Sequence, residues 1–254
     1  MMQDSAKGGF MGRMERILKH MRRVFTVFPA LLLLAAACAK GDYMADIDRN
    51  GWDYKIVGDD TGSLAVGTVK SRDGVRYIQL DAVSTGFVVN PSEIKAIADG
   101  TRVFLEYLVV LSTETPDFCS DAILVEWATP LDVGNRSILN FEESFSEESF
   151  LATDPVDIVP DWITSLEDGF LTLHYTVRSS GEKKHTFSLY EGMGEGGRYF
   201  FVHDANGDTG RNLTDGIVCF PMADLLPGAE DITVTYLNLN KTKKTLTVEY
   251  RSPK

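Results

Sequence analysis

From residue 52 onward, apolar and polar residues alternate with the period of two that a half-buried β-strand requires. Residues 64–70 (LAVGTVK) run into Ser71-Arg72-Asp73-Gly74, whose Asp-Gly pair suits a two-residue hairpin turn. The chain returns as 75–82 (VRYIQLDA), with Val75, Tyr77 and Gln79 on one face and Arg76, Ile78 and Leu80 on the other. Residues 86–89 read as a third strand. Asn90-Pro91-Ser92-Glu93 then opens a brief helical turn through Ile97, and Asp99-Gly100 closes it. Residues 101–112 (TRVFLEYLVVLS) and 122–129 (AILVEWAT) complete five strands. Five strands with a small helix between the third and fourth is the order of an OB-type barrel.

The second half has the same texture. Strand-like runs fall at 156–163, 170–177, 185–190, 199–204, 217–220, 232–239 and 245–250. Leu171, Leu173, Tyr175 and Val177 point one way, and Thr172, His174 and Thr176 the other. Ser179-Ser180-Gly181, residues 192–197 and Asn206-Gly207 supply the turns. Short strands at this spacing predict an immunoglobulin-like β-sandwich over 154–254. Between the halves, 141–150 reads FEESFSEESF, a linker (141–153) whose phenylalanines pack on one domain while its acids face water. The fold class is therefore all-β: an OB-type barrel within 52–140, then the sandwich.

The N-terminal pattern differs in kind. Arg22 and Arg23 precede an unbroken apolar run that ends in Ala35-Ala36-Ala37-Cys38. Such a run is a secretory signal peptide (1–37), shorter than the about 20 apolar residues of a membrane span. Counted from Met14, its basic segment has normal proportions. Small residues directly before a cysteine form a lipobox-like site, with Cys38 as the lipid acceptor. Residues 38–51, with Asp42, Asp46 and Asp48, read as a tether to the membrane.

Charge narrows the partners. The chain has 25 basic and 37 acidic residues; 19 basic and 35 acidic lie beyond the signal, a net −16 there. That sign argues against nucleic acid, whose recognition needs phosphate neutralisation by Lys and Arg. It also leaves membrane attachment to acyl chains rather than to anionic headgroups. Besides Cys38 there are only Cys119 and Cys219, read as two separately buried thiols.

No GxSxG elbow, P-loop, HExxH or CxxC pair occurs, and 192–197 (GMGEGG) lacks the strand-to-helix setting of a dinucleotide loop. No catalytic residue and no cofactor is assigned. His174, His185 and His203 all fall on strand-like runs and read as hydrogen-bonded sheet residues. Asp204, Asn206, Asp208, Asn212 and Asp215 place oxygens at positions 1, 3, 5, 9 and 12 of a calcium-type loop. Position 6 is Thr209 rather than glycine and the flanks are strands, so a tight Asn-Gly turn is the preferred reading. Trp52, Trp127 and Trp162 offer a sugar-stacking platform or, as preferred, core packing.

The signal with Cys38 and the two β halves together resemble the NigD-like lipoproteins. The resemblance rests most on Asp154-Pro155, Asp161-Trp162-Ile163, Lys184-His185 and His203-Asp204-Ala205-Asn206-Gly207-Asp208. Its marking residues are Trp162, His185, His203, Asn206, Gly207 and Asp208. It implies a two-domain protein of the bacterial cell envelope, an N-terminal OB domain followed by a C-terminal β-sandwich. With no catalytic motif in the sequence, the expectation is a non-enzymatic protein, lipid-anchored at the outer membrane. Contact with a protein partner, of the bacteriocin-immunity kind that gave the family its name, is the function expected. A glycan-binding accessory lipoprotein is the alternative.

Overall fold

The computed structural model describes residues 46–49, 52–57, 61–80, 82–140, 146–192, 197–222 and 231–251. The signal segment, Cys38 and the start of the tether lie outside the described residues. The end of the tether is not without structure: β1 (Asp46–Arg49) pairs antiparallel with β2 (Trp52–Lys55). Asn50-Gly51 sits between them, a hairpin signal that the acidic look of this stretch obscures.

The first domain is a closed barrel of β3 (Ser63–Arg72), β4 (Val75–Gln79), β5 (Thr85–Val88), β6 (Arg102–Val110) and β7 (Asp121–Pro130). The order is β3-β4-β5-β7-β6 with β6 back against β3, and only β5–β7 is parallel. Asp73 (φ 53°) and Gly74 (φ 80°) form the tight β3–β4 turn that the Asp-Gly pair predicts. Val69, Ile78, Leu105 and Ile123 fill the barrel, each fully buried. A 3-10 turn at Pro91–Ile94 inserts Ile94 and Ile97 into that core. Arg76, from β4, donates to the carbonyls of Ile94 and Ile97 and so satisfies the end of the turn.

The second domain is a two-sheet sandwich. One sheet runs β18 (Tyr250–Arg251), β11 (Ser165–Glu167), β12 (Phe170–Ser179), β15 (Asn212–Pro221), β8 (Asp132–Val133), with β10 (Asp157–Ile158) also on β12. The other runs β17 (Lys243–Val248), β16 (Ile232–Leu237), β14 (Arg198–Asp204), β13 (Thr186–Glu191), β9 (Asn135–Asn140). Leu171, Leu173, Leu189, Phe201, Phe220 and Val234 form the core between them. Leu171, Leu173 and Val177 thus face inward as their alternation requires. Several partners are parallel (β9–β13, β8–β15, β14–β16 and β11–β18), where simple hairpin alternation leads one to expect antiparallel pairs.

The seam between the halves differs from the sequence reading. A first domain ending at 140 would include β8 and β9, yet both hydrogen-bond to sandwich strands. The hand-over follows β7, near residue 131. Inside the expected linker, α1 (Glu147–Leu151) is capped by the Ser146 hydroxyl, which accepts from the Ser149 amide. Phe150 on α1 is 1% exposed and packs edge-on against Phe200, 5.6 Å between centroids.

Barrel and sandwich meet through a buried charge pair. Arg102 of β6 donates to Glu167 of β11 (2.7 Å), to the Thr172 hydroxyl (3.4 Å) and to the Thr68 hydroxyl (3.1 Å). Their side chains are 0% and 4% exposed. Beside them Lys70 of β3 pairs with Asp168, in the tight β11–β12 turn.

Candidate functional site

Of the residues that mark the family resemblance, His185, His203, Asn206, Gly207 and Asp208 converge at one end of the sandwich, while Trp162 does not, and the strand register brings the histidines there. In the β13–β14 ladder Phe187 lies opposite His203 and Thr186 opposite Asp204. His185, one residue before β13, therefore arrives beside His203, with ring centroids 4.9 Å apart. His203 Nε2 is 3.0 Å from His185 Nδ1, and His203 Nδ1 is 3.1 Å from the Pro155 carbonyl. His185 Nε2 is 3.2 Å from Asp208 Oδ2. The result is an unbroken chain, Pro155–His203–His185–Asp208. It is nearly dry: His203 is 2% exposed, and the His185 and Asp208 side chains 7% and 2%. Phe187 stacks on the His203 ring at 5.0 Å. Burial, above all, pushes the His203 pKa below the ordinary histidine value.

Asp208 is the hub. Its Oδ2 accepts from the Ser180 amide (2.9 Å) and the Ser179 hydroxyl (3.1 Å), and its Oδ1 from the Gly210 amide (2.8 Å). The Ser180 and Gly210 amides hold its carboxyl well below the usual carboxylate range. These bonds press the crossover 205–211 against the 179–181 turn. At Gly210 the approach is so close that a Cβ would lie 1.9 Å from the Ser180 nitrogen, so only glycine fits there.

Asn206 (φ 51°) and Gly207 (φ 67°) both have positive φ, and the Asp208 amide closes the turn on the Ala205 carbonyl at 2.9 Å. The turn geometry is as expected, but its setting is not. β14 and β15 belong to different sheets, so this turn starts a crossover between sheets rather than a hairpin. Lys183 reaches over it to the Asn206 and Gly207 carbonyls.

The calcium-type positions point to separate partners. Asp204 accepts from the Asn206 amide, Asn206 donates to the Lys184 carbonyl, and Asp215 accepts from the Thr176 hydroxyl. Asn212 opens β15 opposite Ser179. With Asp208 occupied as described, the five share no centre, and among the described residues no cluster of His, Cys, Asp and Glu is arranged to hold a metal ion.

His174 stands apart from this cluster. Its Nδ1 is 2.8 Å from Asp161 Oδ2, while Asp161 Oδ1 accepts from the Ile163 amide. Between them in sequence, Trp162 is 49% exposed, against the expectation of core packing. Its ring tilts toward Phe104 of the barrel (6.3 Å), which also meets Trp127 edge-on (5.5 Å). Trp127 is half-buried, and its indole N–H donates to Glu106 (2.6 Å). The side chain of Trp52 lies outside the described residues. Cys119 and Cys219 are separate, buried and free, and burial pushes the Cys219 thiol up to about 11.

What sequence reasoning missed is the pairing itself: Asp161 with His174, Arg102 with Glu167, and the Pro155–Asp208 relay. Partners separated by 13, 65 and 53 residues leave no mark in any local period.

Residues 137–250 match the NigD-like C-terminal beta sandwich domain. No curated protein matches the chain. Several solved structures share its fold. A toxin-related protein from Parabacteroides distasonis is 21% identical over 75% of this chain and 94% of its own, with a TM-score of 0.59. A protein of unknown function from Bacteroides vulgatus is 22% identical over 75% and 91%, also at 0.59. A protein described as a lipoprotein from Bacteroides fragilis is 12% identical over 76% and 100%, at 0.53.

Proposed function

Because this chain belongs to the NigD-like family through its C-terminal β-sandwich domain, we propose that it is a non-enzymatic lipoprotein of the cell envelope that presents its two β domains to a protein partner. Lipid on Cys38 anchors it to the outer membrane, and immunity-type binding of a protein is the role within that class. The lipoprotein name of the B. fragilis neighbour agrees with this reading.

The observation that carries it is how the motif side chains are used. The motif residues His185, His203 and Asp208 are buried and hydrogen-bonded to one another and to backbone, which is the work of a scaffold. On the barrel, the face of β4 and β5 through which OB domains commonly take oligonucleotides is partly covered by the chain itself. Phe118 packs on Tyr77 at 5.4 Å, with the Arg72 guanidinium 4.9 Å from its ring. A protein partner is left the exposed indole of Trp162, tilted toward Phe104, since half-exposed tryptophan is common in interfaces.

The anchoring test is Cys38→Ala. The variant should stay uncleaved or leave the membrane fraction, and unchanged mass and fractionation would remove the lipid from this reading. For the partner, a photo-crosslinker at Trp162 in live cells should capture one protein at a defined mass. Capture of polysaccharide instead would favour the glycan alternative, for which the half-exposed Trp162 is the supporting observation.

A further inference from the structure

The relay at the end of the sandwich has acceptors at both ends. The Pro155 carbonyl can only accept, so His203 Nδ1 must carry a proton. The Asp208 carboxylate, held ionised by two backbone amides, can only accept, so His185 Nε2 must carry one too. The remaining bond, His203 Nε2 to His185 Nδ1 at 3.0 Å, needs one proton between two ring nitrogens. Two neutral imidazoles hold only two ring protons in all. With two protons, the inner nitrogens would face each other lone pair to lone pair.

We propose that the His203–His185 pair carries three ring protons in the folded protein, a single imidazolium charge neutralised by Asp208, and that this charge makes the relay a pH-gated clamp on the 205–211 crossover. The charge sits on His185, which is the ring against the carboxylate. His203, deeper and stacked on Phe187, stays neutral as the Nδ1–H form, in keeping with its lowered pKa.

The other charged groups around the relay are engaged in ways that leave this count intact. Asp154, ahead of β10, accepts the Ala205 amide, and Asp204 at the end of β14 accepts the Asn206 amide. Lys183 is spent on the Asn206 and Gly207 carbonyls, and Arg178 of β12 on the Arg211 carbonyl. None of these bonds supplies a proton to the inner pair. Asp154, bridged backbone to backbone with His203, favours charge on that ring, but less than burial opposes it.

Linkage fixes the signs. In the unfolded chain each histidine titrates near about 6.5. The third ring proton that the hydrogen-bond count requires is absent from neutral histidines of the unfolded chain above that value, so on this count stability falls as pH rises on the alkaline side. Below it the unfolded chain binds two extra protons and the folded pair only one, because His203 resists, so stability falls again as pH drops. The clamp thus contributes most near neutrality, and it slackens in alkali, where the His185–His203 contact opens.

Asp208→Asn removes the carboxylate that fixes the proton count. An asparagine that turns its amide nitrogen to His185 Nε2 lets both rings be neutral, but it gives up the acceptor for the Ser180 amide and Ser179 hydroxyl, so the variant should melt lower at every pH and the readout is the shape of its pH profile. Melting temperature of the full chain would be followed from acid to alkaline pH in both proteins. The wild type should lose stability on the alkaline side, and the variant should lack that limb while keeping the acid one. The His174–Asp161 pair is the same in both proteins and does not distinguish them. Parallel alkaline limbs in the two proteins would overturn the proposal. If the variant fails to fold, ring-nitrogen NMR of the histidine-labelled wild type decides. At pH 7 both His185 nitrogens should be protonated and His203 protonated at Nδ1 alone; an unprotonated nitrogen on His185 would overturn it.

Discussion

Gly207 sits at φ 67° next to Asn206 at φ 51°, so the turn at residues 205–208 needs two consecutive left-handed residues. A β-branched side chain resists that conformation strongly, whatever the free space around it. Gly207→Val should therefore cost about 1–3 kcal/mol in denaturant unfolding. Asp215→Ala removes an acceptor for the Thr176 hydroxyl on an exposed strand end and should cost no more than about 0.5 kcal/mol. Added calcium should leave the melting temperature unchanged in both proteins, because a ligand stabilises only through binding the folded state. A calcium-dependent rise, abolished by Asp204→Ala, would mean that these carboxylates turn toward an ion.

Among the elements, β6 and β11 are held together by opposite charges that neither strand can bury alone. Arg102→Met would leave Glu167 in the seam with Arg251, 3.8 Å away, as its remaining cation. Breaking one side of such a pair costs about 3–5 kcal/mol, whereas replacing both members by apolar residues is often close to neutral. Arg102→Met should be strongly destabilising in equilibrium unfolding, and Arg102→Met with Glu167→Leu should recover much of the loss. The strands themselves were legible in advance because period and turn chemistry agree. The β3–β4 turn, the helical turn after β5 and the inward Leu171-Leu173 face could each be read from a few neighbouring residues. β8 and β11 could not, since two or three residues carry no period, and β9 follows β8 too closely to announce a new sheet; the run read at 156–163 pairs only as β10. His185, His203 and Asp208 were individually visible as a motif. Their meeting depends on the β13–β14 register and a crossover between sheets, which no spacing encodes.

At the scale of the molecule, the question is which piece of chain can bury its own core. A sandwich begun at residue 154, where the strand-like runs of the sequence restart, would lack β8, β9 and α1. It would leave one side of β13 without its parallel partner and uncover Phe200 and Val202, which Phe150 covers. Losing a buried phenylalanine alone costs about 3–5 kcal/mol, a large share of the about 5–15 kcal/mol by which a domain of this size is stable. Two unpaired strand edges add exposed backbone and invite association between chains. A fragment begun at residue 131 keeps all three elements. It loses only the barrel side of the seam, where Glu167 can be hydrated once Arg102 is gone. Residues 131–254 should therefore give a β-type far-ultraviolet spectrum and a cooperative melt, at lower temperature than the full chain. Residues 154–254 should be aggregated or without a cooperative transition under the same conditions. If the shorter fragment melted as sharply as the longer one, β8, β9 and α1 would be ornament on a sandwich complete without them, and the domain boundary would return to the linker.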